Sequence, residues 1–299
     1  MADEIDIEQV CAFKWDLRKI TKLFGLKAEM ASEYSKELAF HLGLLLPSDG
    51  FATITIVPEP VLPSKRERCS FLMFVSAEID YTNSRRYIPP SVVAEIREEY
   101  LTSDDPDLVS AATEAPETMR LVEHFTAVIG AFEEVNVPDY VMLVNGSQSL
   151  GNRVLEWIQR RFDCYMDSNI ELDPQSLKSL SVRWSLLAFN SGLSGTLRVL
   201  LSPSDSVTGI SEVWMEFQLD AIKKLWDTQI EEYRWDQSKQ PSSAALIQTL
   251  AVSATGVVTD NFKFEGFSTP VATLTVNGRV EILSPDHALL ILKDLSTVV

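Results

Sequence analysis

The sequence predicts an α+β fold of mainly antiparallel, curved sheets flanked by helices, and three observations support this prediction. Residues 51–57 and other segments alternate apolar and polar side chains with the period of a strand. Further segments repeat apolar residues every three or four positions, as helices do. Asn277-Gly278 between two alternating runs is a strong β-hairpin signal. Because 299 residues exceed the usual single-domain size, we expect two closely packed subdomains at 1–137 and 138–299.

Composition restricts the class of protein. The hydrophobic fraction of 45% and the charged fraction of 23% are typical of a folded globular chain. The three cysteines lack the spacing of a zinc site, the first residues are acidic, and no run of about 18 apolar residues occurs. We therefore expect an intracellular protein of a reducing compartment, neither secreted nor inserted in a membrane.

The net charge of −17 opposes a free-standing nucleic-acid binder, because contact with phosphates needs a surplus of lysine and arginine. The charge is unevenly distributed. Residues 94–140 carry 12 acidic and 2 basic side chains, a net charge of −10. Local basic surfaces are therefore compatible with the rest of the chain.

The first third of the chain contains one ambiguous segment and three clearer ones. Residues 7–26 fit an amphipathic helix, although the run from Trp15 to Thr21 also alternates as a strand. Residues 29–46 carry one apolar helical stripe. The β-rich runs 51–57 and 69–79 predict an antiparallel hairpin whose basic tip, 65–68, is either solvated or in contact with a partner or a phosphate.

The acidic window predicts an insertion of about residues 90–137. Helical patterns occupy 91–101 and 116–134, separated by Ser103-Asp104-Asp105-Pro106. Their charges indicate either a solvated helical face or a docking surface for a basic partner.

The centre of the chain predicts a strand–turn–helix unit. Residues 140–144 form the strand, Asn145-Gly146 the turn, and Ser147 the cap of a helix that ends near Phe162. The glycine-containing turn lacks both the phosphate-binding lysine and the full dinucleotide fingerprint, so we do not expect a nucleotide site.

Helices and strands continue to the end of the chain. Asp173 and Pro174 begin a helix, and Asp220 is expected to cap another that runs through Trp226. The remaining predictions are strands at 195–201, 212–219 and 262–264, a loop at 234–240, a helix ending near Gly256, the hairpin 269–276/279–283, and a terminal helix from Pro285.

No catalytic, cofactor or metal site is predicted. His41, His124 and His287 fall in predicted helices without a second ligand three or four residues away. The run from Gly192 to Gly195 is one residue short of a nucleophile elbow. Cys164 fits a small buried residue at a helix-to-strand junction.

Several short segments, taken together in order and spacing, resemble the centromere protein L (CENP-L) family of the inner kinetochore. They are Trp15-x-Leu17-x3-Thr21-x-Leu23-Phe24, Glu33-Tyr34-Ser35-x2-Leu38, Asn145-Gly146, a helix with Trp157, Phe162-Asp163-Cys164-Tyr165, a helix ending in Trp184, Lys224-Leu225-Trp226-Asp227, and the strand, turn and helix that close the chain around 278–283. Residues 80–138 depart from the family pattern.

The resemblance implies a non-enzymatic structural subunit of the constitutive centromere-associated network in the nucleus. It implies a heterodimer with a CENP-N-like protein, contacts with CENP-C and CENP-H/I/K/M, and centromeric DNA or nucleosomes held mostly through the partner. A homodimer in the absence of that partner is left open. The alternatives are a nucleic-acid-associated protein outside the kinetochore and an unrecognised enzyme with an acidic site.

Two candidate interfaces follow. The C-terminal hairpin is expected to expose an unpaired strand edge that adds a partner strand. Its apolar anchors would be Phe262, Phe264, Leu274, Val276, Val280 and Ile282. An intramolecular core role is an equal alternative for each. Candidate DNA contacts, with solvated surface as their alternative, are Lys14, Arg18, Lys19, Lys22, Arg153, Arg160 and Arg161.

Overall fold

The computed structural model describes residues 7–43, 51–58, 60, 68–80, 122–133, 138–167, 170–203, 212–236, 240–255 and 262–299. The helices are α1 (Glu8–Cys11), α2 (Ala31–Gly43), α3 (Gln148–Phe162), α4 (Pro174–Asn190), α5 (Leu219–Trp235), α6 (Ser243–Thr255) and α7 (Ala288–Ser296). The strands are β1 (Lys14–Ile20), β2 (Phe51–Pro58), β3 (Arg68–Asp80), β4 (Val122–Glu133), β5 (Pro138–Gly146), β6 (Met166–Asp167), β7 (Thr196–Pro203), β8 (Val213–Gln218), β9 (Phe262–Ser268), β10 (Ala272–Thr275) and β11 (Arg279–Ile282). The predicted α+β class is confirmed.

The chain divides into two compact units. Of the described residues, the N-terminal unit contains those from Ile20 to Met166. The C-terminal unit contains those from Ile7 to Lys19 and from Asp167 to Val299. The division into closely packed subdomains at 1–137 and 138–299 stays a prediction.

The N-terminal unit is an antiparallel sheet in the order β2-β3-β4-β5. The predicted hairpin of β2 and β3 is confirmed, while its basic tip lies outside the described residues. Apolar side chains of α2 and α3, among them Leu38, Trp157 and Phe162, join those of the strands in one core. Tyr34 of α2 meets the ring of Phe162 edge-on, with 5.1 Å between centroids. Burial of these rings therefore anchors both helices to the sheet.

The helix predicted at 116–134 is wrong for residues 122–133, which form β4 and pair with β3 and β5. The side chains of Val128, Ile129 and Phe132 are all buried, although they point to alternate faces of the strand. The sequence of a strand that is buried on both faces is apolar at successive positions and does not alternate between apolar and polar residues. This part of the acidic window is therefore sheet core. The helix predicted at 91–101 lies outside the described residues.

The C-terminal unit contains an antiparallel sheet in the order β1-β11-β10-β9-β7-β8. The predicted hairpin of β10 and β11 is confirmed, and Gly278 has the positive φ of 77° that its turn requires. Helix α4 begins as predicted, because the Asp173 carboxylate accepts a hydrogen bond from the Ser176 N–H and Pro174 occupies the first turn. Trp184 of α4 lies 5.3 Å from the Phe267 ring of β9.

Two N-terminal elements differ from the helical interpretation of 7–26. Residues 14–20 form β1, so the strand alternative was correct. Trp15 and Leu17 are buried between exposed Lys14 and Asp16, and β1 pairs with β11. Cross-strand pairing and burial of alternate residues decide the structure here over local helical spacing.

Helix α5 also differs from its prediction. It begins after Gln218, so Asp220 lies in the first turn and does not cap the helix, and it continues to Trp235. Among the described residues, no helix combines the length and the apolar character that crossing a bilayer requires.

Candidate interaction surfaces

The described titratable groups include several ion pairs. No group of three or more potential metal ligands occurs in that part of the chain. His124 lies on β4, not on a helix, and its Nδ1 is 2.9 Å from Glu78 Oε2. His287 is buried, with one ring nitrogen 2.7 Å from Ser191 Oγ and the other 2.7 Å from Ser284 Oγ. These contacts are structural.

The cysteines have the environment of inert thiols. Burial raises the pKa of Cys69 to about 12 and that of Cys164 to about 11. Cys164 lies between α3 and β6, as predicted for a helix-to-strand junction. Because the thiolate is the reactive form, raised pKa values oppose nucleophilic chemistry.

The start of α3 holds a carboxylate of the chain itself. Ser147 accepts a hydrogen bond from Leu150 N and donates one from its hydroxyl to Glu123 Oε1 at 3.0 Å. Glu123 is buried, and a helix N-terminus favours negative charge. Gly146 passes the main chain so closely that an added Cβ would lie 2.2 Å from the His124 oxygen. The glycine turn therefore serves backbone packing, and the Ser147 hydroxyl that caps α3 is bonded to a buried carboxylate of the chain itself.

The predicted partner residues lie within the C-terminal unit. Phe264, Leu274, Val280 and Ile282 are buried, whereas Phe262 and Val276 are half-buried. Strand β10 lies between β9 and β11, β9 also pairs with β7, and β11 also pairs with β1. The prediction of an unpaired edge at 262–283 is therefore wrong, because each hairpin strand already has two neighbours. Contact of these six residues with a partner stays a prediction.

Strand β8 ends the sheet of the C-terminal unit. It pairs with β7 on one side, and among the described strands none pairs with its other side. Met215 and Phe217 are buried, while Trp214 and Glu216 on the opposite face are exposed. The strand contains no proline or lysine, two residues with which proteins commonly protect an edge.

Ordered side chains surround this edge. The Arg198 guanidinium of β7 lies 5.0 Å from the centre of the Trp214 ring. Thr196 donates a hydrogen bond to Glu216 Oε1 at 2.7 Å. Trp214 nevertheless keeps 50% of its surface exposed. The edge therefore carries a fixed, half-exposed aromatic group, a residue type enriched among the energetically important residues of interfaces.

The predicted DNA contacts near the N-terminus do not form one helical face. Lys14 and Lys19 of β1 are exposed, and Arg18 is half-buried. Lys14 lies opposite Glu281 in the β1–β11 pairing. Lys19 donates a hydrogen bond from Nζ to the main-chain oxygen of Val299 at 2.7 Å.

The three arginines of α3 that are predicted to contact DNA differ in how far their side chains are already bound within the protein. Arg153 donates to Ser149 Oγ at 3.3 Å. Arg161 pairs with Glu37 of α2 at 2.6 Å and stacks on the Tyr34 ring at 4.8 Å. Arg160 pairs at 2.5 Å with Glu156, one turn earlier, but keeps 72% of its side-chain surface exposed. Arg161 thus joins two helices, whereas Arg160 is open to a ligand.

The N-terminal unit brings Lys22 close to the end of α3. The Phe24 N–H donates to Phe162 O at 2.8 Å, and the Thr21 N–H donates to Tyr165 O at 3.0 Å. Lys22 lies over the Phe24 ring at 5.6 Å, and both Phe24 and Tyr165 are exposed. We call this surface the basic–aromatic strip and define it as Lys22, Phe24, Arg160, Arg161 and Tyr165. Its spacing in the chain gives no sign that these groups meet, because the joining hydrogen bonds link main-chain atoms about 140 residues apart.

Comparison with protein families gives one match. The family model described as "Centromere protein L" matches residues 140–296, more than half of the chain, from β5 into α7. Comparison with curated protein sequences gives no match. The match contains the central and C-terminal segments on which the resemblance was based. The chain therefore belongs to the centromere protein L family, and with it to the proteins of the centromere and kinetochore.

Proposed function

We propose that this chain is a non-enzymatic structural subunit of the nuclear inner kinetochore that pairs with a CENP-N-like protein. Together they would link centromeric nucleosomes or DNA to the remaining subunits, among them CENP-C and CENP-H/I/K/M. The observation that carries the pairing is β8, a sheet edge without a described neighbour on its outer side.

Strand addition at β8 satisfies two physical requirements. A partner strand would bond to main-chain groups that otherwise face water, and its side chains would pack beside Trp214 and Glu216 on one face and Met215 on the other. Successive side chains of the added strand would therefore lie alternately on the buried apolar face of the sheet and on its exposed face. This arrangement favours one register, because a shift by one residue exchanges the two faces.

The test is the affinity of the Trp214→Lys variant for a purified CENP-N-like partner. Lysine removes the aromatic anchor and adds a charge that protects edge strands. Loss of a central aromatic anchor costs about 2 kcal/mol or more, so we expect the Kd to rise at least about 30-fold. The matched control is Val252→Lys, an exposed apolar residue on α6 of the same unit. Equal affinities of the wild type and Trp214→Lys would refute pairing at β8.

We assign the chain a minor share of DNA binding through the basic–aromatic strip. Lys22 and the open Arg160 supply charge beside exposed aromatic rings. With a net charge of −17, the rest of the chain repels phosphate, so the partner would hold most of the DNA.

Salt titration of the complex with DNA tests this share. Each lost phosphate contact lowers the slope of log K against log salt by about 0.9, so Lys22→Ala/Arg160→Ala should lower it by about 2. The control is Lys263→Ala/Arg279→Ala, two exposed basic residues of the C-terminal unit. An unchanged slope in the first variant would exclude the strip.

A further inference from the structure

The last two and a half turns of α5 form an exposed surface that neither β8 nor the basic–aromatic strip explains. The buried residues of α5 are Leu219 and Ile222, both in its first turns. Every described residue from Glu231 to Asp236 is exposed, and Trp235 keeps 93% of its surface exposed. A tryptophan this exposed contributes almost no packing to the fold.

This end of the helix is fixed in place. The Asp236 N–H continues the helical pattern by donating to Glu232 O at 2.8 Å. Gln229 accepts a hydrogen bond from the Ser242 N–H at 2.9 Å, which ties the start of α6 to the middle of α5. Tyr233 and Trp235 are therefore held on an ordered helix.

The electrostatics of this surface are negative. Residues 227–236 carry four carboxylates and one arginine, a net charge of −3. Lys223 pairs with Asp227, so Glu231 and Glu232 supply most of the outward charge at the last turn. The C-terminal end of a helix adds partial negative charge, and the faces of aromatic rings attract cations as well.

The geometry points to the end of α5, residues 227–236, as a docking site for a lysine- and arginine-rich peptide segment of a partner protein. An ammonium or guanidinium group would lie on the Trp235 ring and beside the carboxylates of Glu231 and Glu232, which precede Trp235 by four and three residues and so share its side of the helix. Charge complementarity selects this occupant over three others. Nucleic acid and a second copy of the same acidic end would both be repelled, and two aromatic side chains offer too little area for an apolar helix.

The experiment measures binding of a labelled 12-residue peptide of Lys, Arg and Gly to the full-length protein by fluorescence anisotropy at low and physiological salt. We expect binding at low salt that weakens as salt screens the charges. The variants Trp235→Ala and Glu231→Lys/Glu232→Lys should each weaken binding about tenfold, whereas Trp235→Phe should retain most of it. All of the changed residues are exposed, and thermal unfolding verifies that the variants remain folded.

Two controls separate a specific site from general attraction to an acidic protein. Glu29→Lys/Glu33→Lys changes the net charge equally on exposed residues of the N-terminal unit and should alter the Kd less than twofold. The same peptide with Glu in place of Lys and Arg should not bind. Equal weakening by the two double variants, no effect of Trp235→Ala, or no binding by the wild type would each overturn the proposal. Because Trp214→Lys leaves this surface intact, failure of partner pairing at β8 and failure of peptide docking are distinguishable.

Discussion

The two units end their sheets differently at β2 and β8. Strand β2 is covered by its own helix, because Ser35 of α2 accepts a hydrogen bond from the Ile54 N–H at 2.7 Å, while the Ser35 hydroxyl donates to Ala31 O of the same helix at 3.1 Å. Pro58, which has no N–H, ends the strand. Among the described residues, no side chain makes an equivalent bond to the main chain of β8.

The outer edge of β2 is thus bonded to a helix side chain, whereas the outer edge of β8 has no partner among the described residues. Unpaired strand edges promote aggregation, and proteins usually protect them. The N-terminal unit does so with a serine and a proline, whereas β8 carries a half-exposed tryptophan and only one charged residue. The contrast supports a role for β8 in association and none for β2.

The largest expected effect is on the unfolding free energy of the C-terminal unit. It tests whether this unit is well packed although β8 lacks a described outer neighbour. Asp294, only 3% exposed, accepts a hydrogen bond from Trp184 Nε1 at 2.9 Å and pairs with Arg183 at 2.7 Å. Asp294→Ala leaves a buried indole N–H without its acceptor, so we expect a loss of about 3 kcal/mol in the free energy of unfolding by urea. Asp286→Ala, at an exposed carboxylate, is the control. A loss below about 1 kcal/mol would indicate a loosely packed unit.

The second effect is expected when the hydrogen bond between Ser35 and the outer edge of β2 is removed. Ser35→Ala leaves the Ile54 N–H without its acceptor, and we expect a loss of about 1–2 kcal/mol in unfolding free energy. Light scattering should also detect concentration-dependent self-association through the newly exposed edge. Ser35→Thr retains a hydroxyl and should behave as the wild type does. Unchanged stability and association in Ser35→Ala would show that the serine does not protect this edge.

A smaller effect is expected when Trp214→Lys is assayed without a partner. The side chain is half-exposed, and its described ring contact is with Arg198 at the surface. Its unfolding free energy should therefore remain within about 0.5 kcal/mol of the wild type, as for other surface substitutions. Chemical denaturation checks this value. A loss above about 2 kcal/mol would make Trp214 a structural residue and weaken the contrast with β2.

The smallest effect compares the caps of α3 and α4. Ser147 caps α3 with a hydroxyl, whereas Asp173 caps α4 with a carboxylate whose pKa is lowered from 3.8 by the hydrogen bond from the Ser176 N–H. Since the folded-state pKa is the lower one, this stabilisation is present above the unfolded pKa of 3.8 and is lost as pH falls through the folded value.

Thermal unfolding of Asp173→Asn against pH measures this contribution. We expect a slightly lower Tm than the wild type at pH 7 and equal Tm values once the pH has fallen below the lowered folded-state pKa of Asp173. Ser242→Ala removes a neutral cap, the hydroxyl that accepts a hydrogen bond from the Ala245 N–H at the start of α6, and should give a difference that does not change with pH. A pH-independent difference for Asp173→Asn would contradict the assigned cause.

Sequence patterns correctly predicted the turns and helix ends that are determined by residues close together in the chain. The Asn277-Gly278 turn, the cap formed by Asp173 and Pro174, and the start of α3 at Ser147 depend on residues within a few positions of one another. The same signals failed where distant pairing decides. Residues 14–20 became a strand because β11 lies beside them, and β4 lost its alternation because both of its faces are buried.

The interaction surfaces were less predictable for the same reason. We expected the partner-binding edge at the hairpin with the strongest local signal, but that hairpin lies inside the sheet of the C-terminal unit, and β8 ends this sheet. Position within a sheet depends on the order of all its strands, which no single segment encodes. The alternation of Val213 to Gln218 did reveal a strand with Trp214 on its polar face.

Hydrogen exchange of the free chain and of its complex with a CENP-N-like partner tests the central claim most directly. If a partner strand joins β8, the amides of Val213–Gln218 should become protected in the complex, while those of β2 (Phe51–Pro58) should exchange equally in both states. Unchanged exchange along β8, with new protection at another surface, would contradict pairing at this edge.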